Sequence, residues 1–274
     1  MHHSPMPAAH FLHMGVHEIK ISPWNPEELK IPTANPSKNG SFLSILYEDS
    51  DLLVLHKGTG IPSVPHSTDE TETAVGSALA HCPTISGIGR GGLEPGILHR
   101  LDTETSGLLV FAKTESEFMR LQQLWRERKI RKFYRARVKQ SATKSIQHYC
   151  APLAPMTIEY PLAHSEKSRK KMLALKKSPS HQKIRGNPLP AITQILSIQV
   201  LPDSTSELEI ELITGVMHQI RCHLSSLGWP ILGDKLYGGL LAERLFLHAW
   251  KLEIPLKKNK KLLLEATLPS NWTP

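Results

Sequence analysis

Two short apolar runs, Asp51 to Leu55 and Gly107 to Ala112, are bounded by turn residues, which predicts a pair of buried strands. Between 114 and 129 the period changes: Phe118, Leu121 and Trp125 recur at helical spacing. Thr114 and Glu117 form a capping-box pattern, in which a hydroxyl takes an orphan amide at a helix start. A helix over 114–129 follows, with basic residues on its remaining face. Residues 132–138 alternate, which places Tyr134, Ala136 and Val138 on one strand face and Phe133, Arg135 and Arg137 on the other. Tyr134 falls on the more apolar side.

From 163 to 190 periodicity is lost, lysines accumulate and Asn187-Pro188-Leu189-Pro190 closes the stretch, so a mobile loop is expected. Ile192, Leu196, Ile198 and Val200 are predicted to share one strand face, and Leu208, Ile210 and Leu212 another. The turn Thr214-Gly215 leads into Ile220, His223, Leu224 and Leu227 at i, i+3, i+4, i+7, closed by Gly228 and Pro230. That helix carries Arg221 beside, not on, its buried stripe. Strands outnumber helices without strand–helix–strand alternation, so an α+β fold around a mostly antiparallel sheet is expected.

A length of 274 residues admits one large domain or two small ones, and 40% hydrophobic residues suffice for a real core. Residues 1–40 hold six prolines and no sustained period, which predicts an extended or partly disordered arm ahead of one domain over 41–274. The three cysteines fit neither a disulfide framework nor a CxxC metal site. No segment approaches the roughly 18 apolar residues of a membrane span. The expectation is a cytosolic protein with no membrane association. Fifteen histidines invite a metal reading, but His218 and His223 are five apart and HExxH is absent, as are GxSxG and the phosphate-loop pattern.

The net charge of +8 is uneven: residues 120–139 carry +8, 163–190 carry +7 and 251–261 carry +4. Clustered cations of this kind predict a polyanionic partner such as nucleic acid. Two distant segments concentrate the chemistry. His99-Arg100-Leu101-Asp102, running on to Thr105-Ser106-Gly107, offers a carboxylate in a Gly-bounded loop; His218-Gln219-Ile220-Arg221 offers an arginine at a helix start. A carboxylate that must stay ionised in a pocket needs a fixed cation beside it, and arginine is permanently charged and fork-shaped.

The string HRLDTETSG from His99 to Gly107 resembles, letter for letter, the HRLDxxTSG signature of the RluA-type pseudouridine synthases. Further similar segments are Tyr47-Glu48-Asp49 with Leu52 to Leu55 and Lys57, Lys132 to Ala136, Leu227 to Asp234, and Leu245 to Ala249, so the resemblance spans roughly 42 to 268. It implies a single mixed sheet with flanking helices and the active site in a central cleft. It also implies conversion of uridine to pseudouridine in RNA without a cofactor, Asp102 being the nucleophile.

Within that resemblance Arg221 pairs with the aspartate. Tyr134 packs against the target base and helps remove the C5 proton, and Ile220 touches the other side of the uracil. Arg100 engages RNA around the extruded nucleotide, and His99 and Gln219 join the substrate-binding set. Attack at ribose C1′, attack at uracil C6 and a glycal route stay open, as do ribosomal and transfer RNA stem-loops as substrate. The short arm leaves no room for the S4 RNA-binding domain of many relatives, and a monomer is expected. One departure stands out: Gly215-Val216-Met217 lacks a basic residue common in the family before His-Gln-Ile/Leu-Arg. A catalytically idle RNA-binding module and a nucleoside hydrolase are the rival readings.

Overall fold

The computed structural model describes residues 18–20, 43–67, 70–139, 155–176, 183–256 and 260–272. Apart from Glu18–Lys20, the arm over 1–40 lies outside the described residues, as does Cys150. Strands β2 (Leu43–Glu48) and β3 (Leu52–Lys57) form a hairpin after β1 (Glu18–Lys20). Its turn closes on Asp49, whose Oδ1 accepts the amides of Asp51 at 2.8 Å and Leu52 at 2.7 Å.

Strand β4 (Ser106–Ala112) is antiparallel to β3, and both are buried on two faces. Helix α1 (Ala74–His81) packs with Leu53, Leu55, Leu109 and Phe111, while helix α2 (Glu115–Arg126) packs with Leu52, Val54, Leu108 and Val110. Double coverage explains why these strands read as unbroken apolar runs. Thr114 caps α2 by accepting the Glu117 amide at 3.3 Å, but the Glu117 carboxylate turns to Arg120 instead of completing the box. The helix ends at Arg126, short of the expected 129, because Arg128 takes a left-handed backbone with φ 56°.

Strand β5 (Arg131–Val138) buries Tyr134, Ala136 and Val138 on one core face, as its alternation predicts. Beyond it lie β6 (Met156–Ile158), β10 (Thr193–Val200), β11 (Ser206–Leu212), β12 (Leu247–Pro255) and β13 (Lys261–Glu265). The main sheet runs β2-β3-β4-β12-β5-β11-β10-β6, with β13 on β12 and β1 on β13. It is mixed: β12 is parallel to β4 and β1 to β13, and the other pairs are antiparallel. The fold is α+β.

Two expectations need correction. A bulge between Ile195 and Ser197 shifts the face of β10, so Ile195 is the buried residue and Val200 is 49% exposed. The loop expected over 163–190 contains a three-stranded accessory sheet, β8-β7-β9, built from β7 (Leu162–Ser165), β8 (Met172–Ala174) and β9 (Ile184–Leu189). Leu162, Met172 and Ala174 anchor it in a small core with Cys222 and Tyr237, against which Val216 packs. Three-residue apolar patches give too little alternation to stand out from a lysine-rich background.

Helix α3 (Gln219–Ser226) lies between the two sheets: Ile220 and Leu224 face the main core, and Cys222 faces the accessory core. It is buried over Gln219 to Leu224, so Arg221, at 6% exposure, lies within the buried stretch and not beside it.

Candidate active site

Register across the sheet builds the site. Gly107 of β4 sits opposite Ala249 of β12, Ala249 opposite Tyr134 of β5, and Tyr134 opposite Ile210 of β11. Two strand spacings, about 10 Å, therefore separate Tyr134 from the end of the loop that carries Asp102. Gly107 has φ 123°, and a Cβ there would lie 2.2 Å from the Ala249 carbonyl oxygen, so only glycine lets β4 and β12 close this row.

Asp102 is about one quarter exposed, and its Oδ2 accepts a hydrogen bond from Arg221 Nη1 at 3.2 Å. Among the described residues, Oδ1 has no hydrogen-bond partner. Arg221 donates through Nε and Nη2 to Asp234 at 2.8 and 2.9 Å, a bidentate clamp. Burial opposes its charge, but the hydrogen bonds and charge of Asp234 and the charge of Asp102 outweigh that and hold the guanidinium above its ordinary value. Asp234, 1% exposed, is fixed in turn by the amides of Leu236 and Tyr237, each at 3.1 Å. The arginine is thus oriented before any substrate arrives.

Tyr134 is 6% exposed; burial, and then the charge of Asp102, raise its phenol well above the ordinary value. Ile220 is in the same core cluster. These residues, with Arg221, form the brought-together part of the expected set. Arg100, two residues before Asp102, stays at the surface, its side chain 61% exposed and 3.2 Å from Glu94, and is not hydrogen-bonded to Asp102.

His99 and Gln219 have their side chains engaged within the fold. The His99 ring stacks on Trp125 at 4.6 Å and its Nε2 accepts the Val110 amide at 3.3 Å. Burial pushes it down to about 3, so it is a neutral packing residue on the α2 side. Gln219 spends its amide on structure: Nε2 donates to the Ile192 carbonyl and Thr193 Oγ1, each at 2.9 Å. Its Oε1 accepts from Thr214 Oγ1 at 2.7 Å and the Val216 amide at 3.1 Å. It locks the turn before α3 onto β10.

Three residues without an assigned role belong to the site. Asp234 lies at the end of the Leu227 to Asp234 segment, a Gly-Asp pair whose buried carboxylate demands a cation. His218, with φ 54°, places Nε2 3.8 Å from Asp102 Oδ2. Lys57, fully buried, donates to the carbonyls of Gly58 at 3.0 Å, Ile61 at 2.7 Å and Thr103 at 3.0 Å, fastening the residue after Asp102 to the end of β3. Burial pulls its ammonium down to about 7 against the charges of Asp102 and Glu104. Among the described residues no group of three or more His, Cys, Asp or Glu side chains is arranged to hold a metal ion.

A family model described as RNA pseudouridylate synthase matches residues 51–226. The chain is 36% identical over 212 residues to the ribosomal large subunit pseudouridine synthase D of Zymomonas mobilis, covering 76% of this chain and 61% of that protein. It is 30% identical over 267 residues to the synthase D of Nitrosomonas europaea, covering 90% and 70%. The match covers less than two thirds of several relatives, 54% of one from Synechocystis, for example. Human RNA pseudouridylate synthase domain containing 1 superposes with a TM-score of 0.61 over 85% of each chain at 24% identity, a likeness of fold. With HRLDTETSG bearing Asp102 and the Arg221 pairing formed in space, the chain belongs to the RluA-type RNA pseudouridylate synthase family.

Proposed function

We propose that this protein converts uridine to pseudouridine in structured RNA, with Asp102 as the nucleophile. One observation carries the reading. The Asp102 carboxylate is held through Oδ2 by an arginine that Asp234 has already immobilised, and Oδ1 is left without a hydrogen-bond partner among the described residues. A carboxylate anchored by one oxygen and bare at the other suits covalent catalysis. The N1–C1′ bond breaks, the uracil turns over, a C5–C1′ bond forms, and the proton lost from C5 is balanced by one gained at N1. No electrons enter or leave, so the reading requires no cofactor.

Tyr134 is held protonated by burial and by Asp102, which favours its ring as a packing surface for the base over its phenolate as a base for the C5 proton. Ile220 supplies apolar surface nearby. Extruding a stacked nucleotide costs roughly a few kcal/mol, and the exposed Arg100, two residues before Asp102, is available to offset part of it by stacking or by a phosphate contact. The names of the relatives favour ribosomal over transfer RNA. The reading carries action in the cytosol, as a monomer, with the accessory sheet and its cations gripping the RNA.

Asp102→Asn should abolish isomerisation while leaving RNA binding within about twofold, because the side chain keeps its volume and loses only its nucleophilic charge. The measurement maps pseudouridine by carbodiimide-dependent reverse-transcription stops in ribosomal and transfer RNA, from cells with the wild-type or the variant protein. A stop that persists with the variant as sole source overturns the nucleophile assignment. No stop with the wild type overturns the activity.

A further inference from the structure

We propose that His218 is a positioning residue for Asp102, held as the Nε2–H tautomer by Tyr237 and registered through Tyr237 to the accessory sheet. The proposal rests on the isomerase reading for its kinetic consequences, but not for its geometry.

His218 adopts φ 54° and ψ 21°, a left-handed backbone at a residue that is not glycine. Such a conformation persists where surrounding structure over-determines it, and it directs this ring between two partners. On one side Nδ1 lies 3.2 Å from the Tyr237 hydroxyl, the two rings edge to face at 5.7 Å. On the other, Nε2 lies 3.8 Å from Asp102 Oδ2.

The Tyr237 hydroxyl accepts the backbone amide of Met172, on β8 of the accessory sheet, at 2.9 Å, and donation of its own proton to His218 Nδ1 is the arrangement that uses both its acceptor and its donor capacity. Burial raises the phenol well above its ordinary value and keeps it a donor. An imidazole that accepts at Nδ1 carries its hydrogen at Nε2, which here faces Asp102. Asp102, Arg221, Asp234, His164 and Tyr237 surround the ring; burial first, with Arg221 and His164, outweighs the two carboxylates and lowers its pKa. His218 is therefore neutral near pH 7.

A neutral donor 3.8 Å from the carboxylate is too distant for a hydrogen bond in the free protein. Catalytic hydrogen bonds often tighten only when substrate is bound. His218 and Arg221 act on the same oxygen, Oδ2, so closure of this gap leaves Oδ1 as the attacking atom. The chain from Met172 through Tyr237 to His218 makes that closure depend on where β8 of the accessory sheet sits.

The test is single-turnover kinetics on an RNA substrate with the full chain, together with 15N shifts of the His218 ring. His218→Ala should lower kcat about tenfold, the worth of one hydrogen bond of about 1.4 kcal/mol, with KM unchanged. His218→Gln, which keeps an N–H near the Nε2 position, should recover to within about threefold of wild type. Tyr237→Phe should lose a similar factor, and the double variant His218→Ala/Tyr237→Phe no more than His218→Ala alone. The wild-type ring should show the Nε2–H tautomer, and Tyr237→Phe a mixture. Unchanged kcat in His218→Ala, a loss confined to KM, a Gln variant as impaired as Ala, or a wild-type Nδ1–H tautomer would each overturn the proposal. If His218→Ala does not fold by circular dichroism, the Gln and Phe variants and the ring shifts decide alone. A wild type that makes no pseudouridine yet shows the Nε2–H ring removes the isomerase reading and leaves the arrangement standing.

Discussion

Residues 120–139 and 163–190 carry nearly equal net charge, +8 and +7, and use it in opposite ways. In the first region Arg120 pairs with Glu117, Lys129 with Glu127, Arg131 with Glu211, Arg135 with Glu207 and Arg137 with Asp203. Lys132 is buried with its ammonium 5.3 Å from the Trp125 ring. In the second region Lys167, Arg169, Lys170, Lys183 and Arg185 are exposed, and among the described residues none pairs with a carboxylate. Charge density along a sequence is thus a poor guide to an RNA footprint until internal pairs are subtracted. In this protein the subtraction leaves the exposed cations of the accessory sheet together with Arg126 and Arg128 at the end of α2, none of which has a carboxylate partner among the described residues.

The largest effect that would break the comparison lies on that sheet. The triple variant Lys167→Glu, Arg169→Glu, Lys170→Glu should weaken RNA binding about a hundredfold at low salt. It should also flatten the log–log salt dependence by about 2 to 3 units, since each lost phosphate contact removes about 0.7–0.9. Fluorescence anisotropy across a salt series checks this; an unchanged slope would mean the sheet does not touch RNA.

Next in size is Arg137→Met. Its guanidinium, 3% exposed as a residue, donates to the Trp272 carbonyl at 3.0 Å, Asp203 at 2.8 Å and Thr205 Oγ1 at 2.9 Å. Stability should fall by about 2 kcal/mol in urea titrations, with the salt slope of RNA binding unchanged. A flattened slope would show that this region also contacts phosphate.

The smallest effect concerns Lys132, whose ammonium burial pulls down to about 8 from an ordinary 10.5. Between those pH values the unfolded chain binds more protons than the folded one, so stability rises as pH rises. The penalty is complete below about 8 and gone above about 10.5. Lys132→Met should therefore stabilise the protein by about 1 kcal/mol at pH 7, and its advantage should shrink across that window. Melting curves at several pH values check it; a constant advantage would place the gain in packing alone.

How much of this was legible in the sequence depended on distance along the chain. Thr114 and Phe118, or Ile220 and Leu224, lie within a helical turn or so, and their elements formed as their spacing dictated. The Asp102 loop and Arg221 came from motif strings, and the fold joined them although 119 positions separate them. What stayed hidden were partners chosen by register. Antiparallel pairing of β11 with β5 brings Glu207 and Glu209 to Arg135 and Glu211 to Arg131, and so decides which cations are neutralised within the fold. The alternation Ser206-Glu207-Leu208-Glu209-Ile210-Glu211 carried the hint, but only a known strand order turns it into ion pairs. Gln219 and His99 show the converse: residues inside strong motifs whose side chains are committed to backbone amides and packing. Asp234 and His218 matter through neighbours at other positions, which no local pattern announces.

The place of β12 also has a bearing on biosynthesis. It lies between β4 and β5, yet it is synthesised more than a hundred residues after both. A growing chain can therefore form the β2-β3-β4 unit and the β5-β11-β10 unit early, each with an open edge, while the row from Gly107 to Tyr134 waits for Ala249. Gly107 and Tyr134 come into register only when that late strand inserts, so a chain still being translated holds Asp102, Tyr134 and Arg221 before it holds the strand that closes the row between them.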